Sequence, residues 1–432
     1  MRTRPLFARG TLVLAILLSG FGRTVAAQNQ STAERQLALT GATIYASPTA
    51  DPIRNGVVLI RDGRIAAVGR AGSVRIPAGI QTLDCSGLTI TAGFWNSHVH
   101  FMERKWAKAA EIPAAELAAQ LQAMLTRYGV TNAFDTGSVW ENTRQIRDRI
   151  ESGEIPGPAI RSAGGILYPK GALSGTPSQL IDALGFMRMP IRELADETEA
   201  LAASKKILDA GADAIKLYAA TWFPPFVDLP ESVIRAAAEE AHRRHKLVFA
   251  HPTKREALLA AVRGGADIIV HTTPQSGPWD ETVVTAMKDR QVALIPTLKL
   301  WTYELRHDRM SALESFVESG VGQLRTWVAA GGTVLFGTDV GYMSDYDPSD
   351  EYALMARAGM SFRQILASLT AAPAERFGDE QRGRIAAGLA ADLVVLSEDP
   401  ALDVRAFSKV RYTLRAGKLT YRADQRPGVK AQ

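Results

Sequence analysis

Apolar and polar positions alternate in short runs at both ends of the chain and recur at helical spacing between them. Near the N-terminus, Leu37-Ala-Leu-Thr40, Gly56-Val-Val-Leu-Ile60 and Arg64-Ile-Ala-Ala-Val68 read as strands separated by turn signals such as Arg61-Asp62-Gly63. The C-terminal part behaves alike: Ala391-Asp-Leu-Val-Val-Leu396 and Val410-Arg-Tyr-Thr-Leu414 are strand-like, with Arg415-Ala416-Gly417-Lys418 as a hairpin turn. Neither end has enough strand to bury a core alone. The two, residues 28–91 and 373–432, are therefore expected to pair into one small β-sandwich.

Residues 92–372 alternate strand and helix. After the run Leu88-Thr-Ile-Thr-Ala-Gly-Phe-Trp95, strand candidates are Thr131-Asn-Ala-Phe134, Ala159-Ile-Arg-Ser162, Ala214-Ile-Lys-Leu-Tyr218, Leu247-Val-Phe-Ala250, Ile268-Ile-Val270, Ala293-Leu-Ile295 and Val334-Leu-Phe336. Helical-period segments, for example 114–128, 191–210 and 231–245, separate most of them. Eight strands alternating with helices fit an α/β fold, a (β/α)8 TIM barrel. The long stretch 167–190, with its Gly, Pro and Ser, reads as a pocket wall or lid, or as a surface loop.

The chain has 432 residues, 46% hydrophobic and 22% charged, an ordinary globular composition. Its first 27 residues have the shape of a signal peptide: Arg2, Arg4 and Arg9, then the apolar Thr11-Leu-Val-Leu-Ala-Ile-Leu-Leu18, then small residues at Val25-Ala26-Ala27. The apolar run is short for a membrane span, which needs about 20 residues. The mature protein is expected to begin near Gln28, to be exported to a periplasm or secreted, and to be free of the membrane. Without the four arginines of the leader the formal charge falls from +5 to +1, which gives no support for nucleic-acid binding. The lone Cys85 lies away from any polar cluster and reads as a structural thiol.

Chemistry enters at the strand ends. Residues two apart on a strand share a side, so His98 and His100 aim two imidazoles at one point. Lys216, His251, His271 and Asp339 each close a later apolar run. Barrel enzymes place their chemistry at these C-terminal strand ends, and histidines with carboxylates are metal ligands. Lys216 is unusual, because an ammonium has no acceptor. As a neutral amine it can take up carbon dioxide and become an anionic carbamate ligand; a lysine snorkelling from the rim is the other reading. His242, His245 and His307 lie on a polar helix and in a charged loop, outside this series.

Gly93-Phe-Trp-Asn-Ser-His-Val-His100, Ala214-Ile-Lys216, Phe249-Ala-His251, Ile269-Val-His271, Phe336-Gly-Thr-Asp339 and the closing Gly383-Arg-Ile-Ala-Ala-Gly-Leu-Ala-Ala-Asp-Leu-Val-Val395 resemble the amidohydrolase superfamily, in its imidazolonepropionase-like and metal-dependent prolidase branch. The resemblance spans essentially all of the mature chain. It implies that His98, His100 and Asp339 hold a buried metal ion, His251 and His271 a more exposed one, and carboxylated Lys216 bridges the two. The chain departs from the common pattern at Asn96, where many relatives have Asp.

The activity this implies is metal-dependent hydrolysis of carbon–nitrogen bonds, with Asp339 as the general base. The ions expected are two zinc, with manganese, cobalt or iron also suited to these ligands. Tyr218, Trp222, Trp301 and Tyr342 follow strand ends and suggest a small-molecule pocket for N-acyl amino acids or dipeptides with an apolar group. Two alternatives stay open: a single-ion cyclic-amide hydrolase or deaminase, and an exported binding protein on a degenerate barrel. Association into a homo-oligomer is also open. No G-x-x-x-x-G-K-[ST], G-x-G-x-x-G or G-x-S-x-G motif occurs, which argues against nucleotide-binding and serine-hydrolase readings.

Overall fold

The computed structural model describes residues 36–172, 186–187, 192–221, 226–308 and 313–423. The expected leader and Trp222 lie outside them. Strands β1 (Gln36–Ile44), β2 (Ile53–Arg61), β3 (Arg64–Arg70), β4 (Gln81–Asp84) and β5 (Thr89–Ala92) open the chain. They are followed by β6 (Phe94–Val99), β7 (Val130–Asp135), β8 (Ala159–Ser162), β9 (Ile166–Pro169), β10 (Arg192–Leu194), β11 (Ala214–Tyr218), β12 (Leu247–His251), β13 (Ile268–Val270) and β14 (Ala293–Ile295). Strands β15 (Leu393–Leu396), β16 (Val410–Arg415) and β17 (Lys418–Arg422) close it.

The two ends of the chain do meet. They form one eight-stranded sheet in the order β17-β16-β15-β5-β1-β2-β3, with β4 on β1. The join is the antiparallel pairing of β5 with β15, Ala92 opposite Leu393 and Thr89 opposite Leu396. One face buries Leu39, Val58, Ile90, Val395 and Leu414, together with Cys85, whose thiol burial pushes up to about 12. A reactive thiolate is thereby disfavoured, as expected of a structural cysteine.

Between them lie two parallel sheets, β6-β7-β8 and β10-β9-β11-β12-β13-β14. Single links join them at both seams. Asp213 N donates to Ser162 O, and the segment 334–336 bonds to Leu294 on one side and to Ser97 on the other. This segment was expected as the eighth strand; it forms a bridge at Val334 and no extended ladder. The third expected strand forms over Ala159–Ser162 as β8, and the chain then turns at Gly164-Gly165, where Gly164 takes φ +68°. Before the turn β8 pairs with β7; after it β9 pairs with β11, and β10 adds to β9.

Two boundaries differ from expectation, each for its own local reason. Residues 167–169 belong to β9, so the long loop starts later. The helix expected over 191–210 runs Glu197–Asp209, because Asp196 caps it by accepting from Glu199 N at 2.9 Å, while 192–194 are extended. His307 lies in the helix Leu298–Asp308 and not in a loop. Among the described residues no helix is long and apolar enough to cross a membrane.

Candidate metal and amide-hydrolysis site

Five of the six proposed ligands lie on or just after parallel strands, and the sixth, Asp339, follows the bridged 334–336 segment. His98 and His100 come from the end of β6, Lys216 and His251 from β11 and β12, His271 follows β13, and Asp339 follows the 334–336 segment. Each is less than a tenth exposed. His98 Nε2 and His100 Nε2 lie 3.2 Å apart, each 3.0 Å from Asp339 Oδ1. His271 Nε2 is 3.9 Å from Asp339 Oδ2. His98, His271 and Asp339 offer donor atoms all within 4.8 Å of one another.

The outer nitrogens explain why the inner ones face each other. His100 Nδ1 donates to Gly137 O at 2.6 Å; a carbonyl only accepts, so Nδ1 carries a hydrogen and Nε2 is the nitrogen that faces the cluster. His271 Nδ1 lies 2.5 Å from Thr297 Oγ1, and that hydroxyl gives its hydrogen to Pro296 O. The ring therefore donates outward here too. Thr136 Oγ1 stands beside the His98 ring, 3.1 Å from Nδ1 and 3.3 Å from Nε2. Among the described residues, His251 Nδ1 is buried with no hydrogen-bond partner.

Electrostatics sharpen the picture. Burial pushes His98 down to about 3 and holds His251 and His271 well below the usual histidine range. Burial would raise Asp339, but His98 and His100 outweigh it and hold the carboxyl well below its usual range. The imidazoles of His98, His251 and His271, held neutral by burial, thus converge with one carboxylate, a donor set that fits a divalent cation. Lys216, 1% exposed, is pushed down to about 7 by burial, with Asp339 pulling the other way. Three of the residues concerned are backbone-strained: His271 at φ +74°, Thr297 at +43° and Asp339 at +63°.

A model of the amidohydrolase family matches residues 89–420. The chain belongs to that family. This amidohydrolase is a hydrolase of carbon–nitrogen bonds, in a family that depends on metal. It is similar to the crystal structure of a putative prolidase from Bifidobacterium longum, at 26% identity and TM-score 0.74 over 92% of this chain and 96% of that one. A Xaa-Pro dipeptidase with methionine bound in its active site shares 20% identity and a TM-score of 0.76, over 90% of this chain and all (100%) of that chain. Ochratoxinase of Aspergillus niger is 22% identical over 426 residues, 90% of this chain and 88% of its own. Its crystal structure matches with a TM-score of 0.72, over 90% of this chain and 96% of that one.

Aromatic rings wall the site of this amidohydrolase. Tyr218 stacks on His251 with ring centres 4.2 Å apart, and Tyr168 stacks on Tyr218 at 4.7 Å. Trp301 stands edge-on to His271 at 6.1 Å, anchored by its indole N–H on Thr272 Oγ1. Tyr342 packs against Phe186 at 5.7 Å. Asn96 spends its hydrogen bonds on His98 N, Thr338 N and Thr338 Oγ1, not on an imidazole, so it ties β6 to the Asp339 segment. The ring partners Thr136, Gly137 and Thr297, and the platform residue Tyr168, have no motif of their own in the sequence. Only their position just past or at the end of a strand could have drawn attention to them.

Proposed function

We propose that this amidohydrolase cleaves the amide bond of N-acyl amino acids or dipeptides that carry an apolar group. The observation that carries the reading is the convergent donor set of His98, His100, His271 and Asp339, walled by Tyr168, Tyr218 and Trp301. The names of the prolidase-like and dipeptidase relatives agree with a small peptide-like substrate.

In this reading His98, His100 and Asp339 would hold one zinc ion, and His251 and His271 a second, with Lys216, as a carbamate, a ligand the two would share. Its neutral amine adds to carbon dioxide and releases a proton, a reaction its burial favours. Bound divalent metal supplies Lewis acidity, acidifying water and polarising a carbonyl. Asp339 does the proton work. As a buried carboxylate it takes the proton of the attacking water and delivers it to the leaving nitrogen, which departs as an amine. The stacked rings of Tyr168 and Tyr218 and the indole of Trp301 receive the apolar group and keep bulk water away.

A single-ion site is the second reading, favoured by the grouping of His98, His271 and Asp339 around one point. Metal analysis with a hydrolysis panel tests both. About two equivalents per chain and turnover of hydrophobic N-acyl amino acids or dipeptides are expected. One equivalent supports the single-ion site, and turnover confined to lactones, phosphotriesters or deaminase substrates overturns the substrate assignment.

We read the two parallel sheets, with their seam links, as one (β/α)8 barrel over 92–372, and the terminal sheet as a small sandwich around Leu39, Val58, Ile90 and Val395. Export follows from the leader. N-terminal sequencing of the secreted fraction is expected to start near Gln28.

A further inference from the structure

Both imidazoles of the His98–His100 pair meet the turn after β7. Thr136 Oγ1 meets His98, and Gly137 O meets His100. The turn has no regular structure of its own, so something else must fix it.

Asp135, the last residue of β7, is fully buried. Its Oδ1 accepts from Ser138 Oγ at 2.6 Å and from Gly137 N at 3.2 Å. Its Oδ2 accepts from Ser162 Oγ at 2.8 Å and Thr143 Oγ1 at 3.0 Å. Ser138 Oγ itself accepts from Phe101 N at 2.8 Å, and Ser162 Oγ from Gly164 N at 3.0 Å. Each serine hydroxyl thus keeps its own hydrogen for the carboxylate. One side chain therefore gathers the turn that holds both rings, the residue that follows His100, the helix Trp140–Glu151 through Thr143, and β8 through Ser162.

We propose that Asp135 is the positioning residue for both imidazoles of the pair, setting His98 and His100 through the 135–138 turn without bonding to either. The inference rests on the metal-site reading above. It also accounts for a buried carboxylate that the hydrolytic steps leave unused. Outer partners of metal-binding histidines fix ring direction, and their loss costs about 10–100-fold in metal affinity or activity.

Asp135→Asn is the decisive variant, because it keeps the size of the side chain, removes its charge and replaces one acceptor oxygen with a donor. The test is zinc titration of the metal-free protein against a chromophoric chelator, with kinetics of the reloaded enzyme beside it. Zinc affinity is expected to fall about 10–100-fold, with kcat reduced and KM near the parent value. A residue serving stability alone would lower Tm and leave the affinity of the folded protein intact, so affinity within about twofold of the parent overturns the proposal. Ser138→Ala keeps the test open if Asp135→Asn does not fold. It cuts the link from the carboxylate to Phe101, and a loss in the same direction supports the proposal while unchanged affinity overturns it. A parent protein that takes up no zinc overturns the metal site instead, so the two failures are distinguishable.

Discussion

The imidazole of His271 is hung on the hydroxyl of Thr297, 2.5 Å from Nδ1. Because that hydroxyl is committed as a donor to Pro296 O, the ring can only turn its Nε2 lone pair inward. Thr297→Val keeps the shape and removes the acceptor. Zinc affinity is expected to drop by about 10–100-fold, read by metal titration; an unchanged value would mean that packing against Trp301 suffices to hold the ring.

Asp339 is, among the described residues, the carboxylate that faces three imidazoles. Asp339→Asn keeps the volume and loses the base. Turnover is expected to fall by about 10²–10⁴ in kcat on the best panel substrate. Near-parent rates would remove Asp339 from the proton pathway.

Lys216→Gln separates the two-ion and one-ion readings. The glutamine is of comparable reach and cannot form a carbamate. If Lys216 bridges, bound metal should fall from about two equivalents to about one, with turnover largely lost. If the site holds a single ion, the metal count of the variant should equal that of the parent.

Glu351 makes stability depend on pH. It is fully buried in the first turn of the helix Ser349–Arg357, where its Oε2 accepts from Lys299 N at 2.7 Å. Burial raises its carboxyl from 4.5 to about 7, with the backbone donors and Lys299 acting in the opposite sense. Between these two values the folded protein holds a proton that the unfolded chain releases, so stability falls as pH rises through that window. Glu351→Gln should flatten this part of the Tm-against-pH curve and raise Tm above neutral pH. A variant curve parallel to the parent's would show that another group titrates.

Gly341 is where the Asp339 turn passes His100. It takes φ +95°, and an added Cβ would lie 1.8 Å from His100 O. Gly341→Ala should cost about 1–3 kcal/mol from conformation alone and more from the clash. Thermal unfolding measures the loss, and a variant as stable as the parent would show that the turn can move aside.

The ligands were legible because each closes a short apolar run and all close it at the same end. Tyr218 stands two residues after Lys216 on the same strand, hence on the same side, and it stacks on His251. What stayed hidden has physical reasons. Thr136, Gly137 and Thr297 act through one hydroxyl or carbonyl each, and no residue pattern marks which polar group beyond a strand will meet a ring. The turn after β7 drew no site residue, although it holds two rings. Along the fold, Gly164-Gly165 was visible as a pair, but the change of partner from β7 to β11 across it depends on tertiary contacts. The segment 334–336 has the apolar content of a strand, yet it is held by single bonds on each side.

The pairing of β5 with β15 has a kinetic consequence. It joins segments roughly 300 positions apart, so forming it closes a very long loop, which is the kind of contact that slows folding. A chain emerging from its N-terminus carries the first five strands well before their partner exists. Until then the Thr89–Ala92 edge stays open to a wrong neighbour, and the yield of native protein should fall with chain concentration during refolding.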